Sequence, residues 1–93
     1  MNVHQIPINS LLSIVVRERE KLLFQGQALA ITAVNEAGPF DVLPLHTNFI
    51  SVVKDSLTII KEDGSKLEIP LARGILKVQR NMVEVYLGFK GGD

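Results

Sequence analysis

Apolar positions come in short runs along this chain, mostly alternating with polar ones, and turn-forming residues punctuate them. A period of two predicts β-strands. Leu12, Ile14 and Val16 share one face of a first strand over residues 11–16. The segment Arg17-Glu18-Arg19-Glu20-Lys21 alternates in sign and reads as a solvated turn. Leu22-Leu23-Phe24 then resumes the apolar pattern, and Gly26 offers a bend or bulge. Gln27 to Val34 reads as a third strand, and it is apolar on both faces: Ala28, Leu29, Ala30, Ile31 and Ala33 leave Thr32 as the polar residue inside it. Either both faces are covered or one is open to a partner.

The stretch Gly38-Pro39-Phe40-Asp41-Val42-Leu43-Pro44-Leu45-His46-Thr47 organises the middle of the chain, with two prolines bracketing a short strand, Phe40 to Leu43. Phe49 to Val53 forms the next strand. Two hairpins follow. Leu57–Lys61 and Lys66–Ile69 flank Glu62-Asp63-Gly64-Ser65, in which Asp-Gly supplies the positive-φ residues of a tight turn. Ile75–Gln79 and Met82–Leu87 flank Arg80-Asn81, where asparagine tolerates the left-handed conformation. In the last strand Val83, Val85 and Leu87 alternate with Glu84 and Tyr86, one face buried and one wet. Pro70 cannot donate to a ladder, so its strand is expected at an edge or with a bulge there. Residues 1–9 read as an extended lead-in, and the tail from Gly88 loses the pattern and is expected to fray. The pattern therefore predicts an all-β fold, a flattened antiparallel β-sandwich or barrel of eight to ten short strands. It forms a single domain over residues 1–93, with its ordered core at about 11–88.

Composition narrows the function more than the fold. Ten basic and ten acidic residues cancel, so no net field favours nucleic acid or an anionic membrane. There is no cysteine, hence no disulfide framework and no thiolate metal site. No apolar run approaches the roughly 18–20 residues that span a bilayer as a helix, so no membrane insertion is expected. The start Met1-Asn2-Val3-His4-Gln5 lacks the basic and apolar regions of a signal peptide, which points to a cytoplasmic chain.

Catalysis needs a constellation, and none is marked. His4 and His46 are the two histidines, one in the lead-in and one in the Pro44–Thr47 loop, without the clustering a metal site requires. There is no Gly-x-Ser-x-Gly elbow, phosphate loop or dinucleotide fingerprint. Asp41, Asp55, Glu62, Asp63, Glu68 and Glu84 fall on turns or wet strand faces, with nothing pairing two of them for acid–base work. No catalytic residue, cofactor or metal is expected.

Around the organising stretch the chain resembles the N-terminal β-sandwich domain of the epsilon subunit of F-type ATP synthases. That family reads Phe-x-Gly and then, after about a dozen residues, Gly-Glu-Phe-Gly-Ile-Leu-Pro-Gly-His-Ala-Pro, matched here by Phe24-Gln25-Gly26 and by Gly38 through Asn48. Its later Leu-x-Ile, turn and Gly-Gly-Phe-Leu-Glu-Val-x-x-Asn-x-Val-x-Val are echoed by Leu57-Thr58-Ile59, Asp63-Gly64 and Arg73 through Val85. Four positions depart from the pattern. Pro39 replaces the glutamate, and Asp41, Leu45 and Arg73 replace glycines. Lost glycines remove positive-φ or close-approach positions, so those loops are expected to differ in shape. By the resemblance, Asp41 is the acid expected to substitute in part for the lost glutamate.

The resemblance implies a non-catalytic central-stalk subunit that links the gamma subunit to the c-ring and serves ATP synthesis coupled to proton transport. It would be cytoplasmic and peripheral to the inner membrane. By position, the loop Glu36, Ala37, Gly38 and Pro39 would face the c-ring, and Leu45, His46 and Ser51 would face gamma. The family's C-terminal helical hairpin does not follow in this sequence, so the brake on ATP hydrolysis and the ATP binding that use it are not expected. Ala28, Leu29 and Ala30 stand where the family tends to place polar side chains, and read as an added contact patch. The alternative is a stand-alone relative recruited as a protein-interaction module.

Overall fold

The computed structural model describes residues 11–45 and 48–88. They form six strands: β1 (Leu12–Glu18), β2 (Lys21–Asn35), β3 (Gly38–Val42), β4 (Phe49–Lys61), β5 (Lys66–Gln79) and β6 (Met82–Leu87). The strand order is β1-β6-β5-β4-β2-β3, and a further β1–β2 pairing closes the first five strands into a barrel, with β3 hanging on the outer half of β2. The all-β reading holds, with two corrections. The strands are six rather than eight to ten, because β2, β4 and β5 each run long where shorter strands were expected, and one ladder, β1 against β6, is parallel.

The merging has a physical cause. β-Bulges absorb each break in the apolar phase while the backbone ladder continues. In β2 the pairing with β4 skips Leu29, stepping from Ala28↔Lys61 to Ala30↔Ile60. Inward positions accordingly change parity, from Ala28 before the bulge to Ile31 and Ala33 after it. A strand apolar on both faces in sequence is thus a strand whose buried face switches partway along. β5 does the same at Ala72, skipped between Lys54↔Arg73 and Asp55↔Leu71. Leu67, Ile69 and Leu71 point inward before it, and Gly74, Leu76 and Val78 after it. Gly26, expected to bend the chain, lies in the regular part of the β1–β2 ladder opposite Ile14, and the irregularity falls between Val16 and Arg17. A Cβ at Gly26 would lie 3.3 Å from Phe24 Cζ, so the bare glycine backbone accommodates the phenylalanine ring. That contact is the physical content of Phe24-Gln25-Gly26.

The core gathers one face of every strand. Leu12, Ile14 and Val16 meet Ile31, Val53, Leu57, Ile59, Leu76, Val83 and Val85, all essentially without solvent contact. Burial on this scale supplies the driving force, about 25 cal/mol per Å² of apolar surface removed from water. Pro70 pairs with Ser56 on a half of β5 that β6 does not reach, since the β5–β6 ladder begins at Gly74. The missing N–H therefore sits on a local edge, as expected. Gly74 is demanded by close approach, because a Cβ there would lie 2.7 Å from Leu87 Cδ2 and 2.9 Å from the Tyr86 carbonyl oxygen.

The β4–β5 turn follows its sequence. Gly64 adopts φ 87 and its N–H donates to the Lys61 carbonyl at 2.9 Å. The Ser65 hydroxyl and N–H both donate to Asp63 Oδ1, at 2.6 and 2.9 Å. These two bonds, the hydroxyl first, hold the Asp63 carboxyl below its usual value. In the β5–β6 turn the left-handed residue is Arg80, at φ 58, rather than Asn81. Asn81 is committed elsewhere: its carbonyl accepts from the Ser13 N–H at 2.8 Å and its side chain from Leu45.

Candidate interaction surfaces

Among the described residues no group of three or more His, Asp or Glu side chains is placed to hold a metal ion. Two loops and one sheet face present the chemistry of recognition instead. The loop over Glu36–Pro39 is a two-residue turn between paired Asn35 and Gly38. Asn35 Oδ1 accepts from the Ala37 N–H at 2.8 Å, and Gly38 takes φ 115, which a side chain would resist. Glu36, Ala37 and Pro39 are exposed. Asn35 Nδ2 also donates to Ser51 Oγ at 3.1 Å, so the root of this loop is tied to Ser51 on β4. A concavity of about 320 Å³ opens beside it, and Glu36, Lys54 and Arg73 are among the residues that line it. Lys54 and Arg73 are direct cross-strand partners. Asp41 accepts from Thr32 Oγ1 at 2.7 Å on the β2–β3 ladder, so the acid at the loop tip is Glu36.

Leu45 and Asn48 are each pinned to the β5–β6 turn. Leu45 N–H donates to Asn81 Oδ1 and Arg80 N–H to Asn48 Oδ1, both at 2.8 Å. Leu45 is held at φ 67 with 74% of its surface exposed. Glycine would take this conformation without strain, so the exchange of glycine for leucine has not removed the left-handed residue. His46 and Thr47 lie outside the described residues.

Ala28 and Ala30 are buried in the chain's own core, and Leu29 is half-buried at the bulge. The three therefore do not present a contact patch on the isolated chain. Packing beneath the β2 bulge accounts for their apolar character.

The face that does present apolar surface is the outer side of β4, β5, β6 and β1. Register places its side chains in rows. One runs Ile50, Lys77, Glu84, Val15, and the next Val52, Ile75, Tyr86, Arg17. Ile50 is 66% exposed, and Val52, Met82 and Tyr86 are also exposed. Isolated exposed apolar residues are ordinary, whereas a contiguous set on one face marks an interaction surface. Sequence reading assigned this side of β6 to water because Glu84 occupies it. The available signal was the apolar parity opposite the core at Ile50, Val52 and Ile75, but strand neighbours had to be known before those positions formed one patch.

The sequence profile of the ATP synthase delta/epsilon chain β-sandwich domain matches residues 11–87. Among curated relatives, the ATP synthase epsilon chain of Bordetella petrii is 39% identical over 75 residues, covering 80% of this chain and 53% of that one. That of Delftia acidovorans is 37% identical over 67 residues, covering 71% and 49%. The chain thus spans about half the length of these relatives. Among solved structures, a chain of the Euglena gracilis mitochondrial ATP synthase, imaged as OSCP/F1/c-ring, superposes with a TM-score of 0.79 at 19% identity, over 94% of this chain and 55% of that one. A chain of the Tetrahymena thermophila mitochondrial ATP synthase central stalk and c-ring gives 0.66 at 14% identity, over 82% and 62%. These two likenesses concern the fold.

Proposed function

Because the chain belongs to the ATP synthase delta/epsilon β-sandwich family, we propose that it is a non-catalytic rotor subunit of a proton-translocating F-type ATP synthase. In this role it sits in the central stalk, joins a gamma-type subunit to the c-ring and helps carry rotation between proton flow and ATP synthesis. The observation that carries the reading is the family match, continuous over residues 11–87 and so across all six strands. The names of the curated relatives, ATP synthase epsilon chains, support it. The absence of a metal-holding cluster among the described residues is compatible with it.

Within this reading the loop Glu36–Pro39 faces the c-ring, and Leu45, His46 and Ser51 face gamma. The Asn35–Ser51 hydrogen bond then links the root of one contact to the other. The subunit works on the cytoplasmic side, peripheral to the membrane, held there by its partners.

Co-expression with the gamma subunit from the same source, followed by size-exclusion chromatography and a titration, tests the proposal. A one-to-one complex is expected, weakened by Leu45→Asp, while Ala37→Arg spares gamma and weakens attachment to the c-ring. No complex at tens of micromolar, a binding free energy weaker than about −6 to −7 kcal/mol, would overturn the rotor role.

A further inference from the structure

The outer face of β4, β5, β6 and β1 is self-complementary, and we propose that it pairs two copies of the free chain in an isologous dimer. A two-fold axis lying along the strands, between β5 and β6 and in the plane of contact, sets each row of side chains against its own reverse. Lys77 of one copy then meets Glu84 of the other, and Glu84 meets Lys77, because the two are register neighbours on either side of that axis. The same operation sets Ile50 against Val15 in that row, and Ile75 against Tyr86 in the next. Ile50, Val15, Ile75 and Tyr86 thus find apolar partners and Lys77 and Glu84 find their opposites, while Met82 meets Gln79 of the other copy. Val52 meets the aliphatic stem of Arg17, whose charged end remains free to reach water.

This is the condition an isologous interface imposes: residue i contacts residue j, and j contacts i. The axis keeps the strands of the two copies aligned, the commoner arrangement of stacked sheets. The charges add selectivity, since a copy shifted by one strand would bring Lys77 onto a second Lys77. A shallow depression of about 490 Å³ beside Ile50, Lys77 and Gln79 leaves room for interdigitation. Ile50 and Tyr86, exposed on the single chain, become covered. The inference does not depend on the rotor reading, because it concerns the chain before any partner binds.

Sedimentation velocity of the 93-residue chain, from about 5 to about 200 µM, the range in which moderate dimers populate, is the first measurement. A concentration-dependent dimer is expected. Lys77→Glu and Glu84→Lys should each be monomeric, with circular dichroism unchanged because both sites lie on the outer face. An equimolar mixture of the two should form a heterodimer, since each like-charged face then meets its opposite. Restoration by mixing cannot arise from repair within one chain. A wild-type chain that stays monomeric at the top concentration overturns the proposal, as does a mixture that fails to associate. If the wild type is monomeric and Ile50→Asp instead abolishes capture of the gamma subunit, the face belongs to that subunit and the dimer is refuted.

Discussion

Replacing Leu45 with glycine should make the fold more stable than replacing it with alanine, reversing the usual order of the two residues. Both changes remove the same largely exposed side chain, so the packing lost is common to them. They differ in the backbone. At φ 67 any residue with a Cβ is strained, and the left-handed region costs about 1–2 kcal/mol for an L-residue. Glycine escapes that strain but loses more freedom on folding, by about 0.5–1 kcal/mol relative to alanine. The difference leaves glycine ahead by about 0.7 kcal/mol, or about 3–6 °C in Tm for a domain of this size. The hydrogen bond from residue 45 to Asn81 uses the backbone N–H, so both variants retain it. Urea unfolding at a fixed pH, comparing wild type with both variants, measures the effect. An alanine variant as stable as the glycine variant would refute the reasoning, because residue 45 would then carry no left-handed strain. The same variants separate stability from recognition. If the Leu45 side chain faces gamma, Leu45→Gly should bind it more weakly than wild type while folding at least as well as Leu45→Ala.

Two further outcomes follow from the geometry. Gly74→Ala should destabilise the domain by about 1–3 kcal/mol, the cost of overpacking, because the new Cβ would collide with Leu87 and with the Tyr86 carbonyl; a shift in the denaturant midpoint at unchanged slope checks it. For Asp63 the folded carboxyl titrates below its ordinary 3.8, so the support it lends the β4–β5 turn is present above the unfolded value and is lost as pH falls through the folded one. The Ser65 amide, which donates to this carboxylate, should therefore exchange more slowly than in Asp63→Asn near neutrality, and that difference should disappear on acidification.

The parts of the fold that were legible in the sequence are those set by local chemistry. Asp63-Gly64 marked its hairpin, and Val83, Val85 and Leu87 marked the buried face of β6. Pro70 announced a local edge. Continuity was harder to read. The polar run Lys54-Asp55-Ser56 resembles a turn, yet it remains paired because Leu71 to Arg73 bulge opposite it. Likewise Ala72 shifts the apolar phase of β5, which reads as two strands until the ladder is seen, and Leu29 shifts that of β2, which reads as one strand apolar on both faces. Motif resemblance located the two loops, and it also explained less than the structure does: the glycine retained in Arg73-Gly74 is required by Leu87, thirteen positions along and invisible to local reading. The outer face was missed for the same reason. Ile50, Ile75 and Tyr86 come from three separate strands, and only their pairing makes them neighbours.

The parallel ladder between β1 and β6 joins Ser13–Glu18 to Met82–Leu87, nearly opposite ends of the described chain. On the ribosome β1 and β2 can form their hairpin early, but the barrel cannot close until β6 has emerged. Closure then waits for contacts of high sequence separation, which makes folding slow relative to a helical chain of this length. Through synthesis β1 keeps one edge open, and a nascent chain stalled before Met82 would expose it to other strands. The sixth strand to be made is thus the one that seals the first.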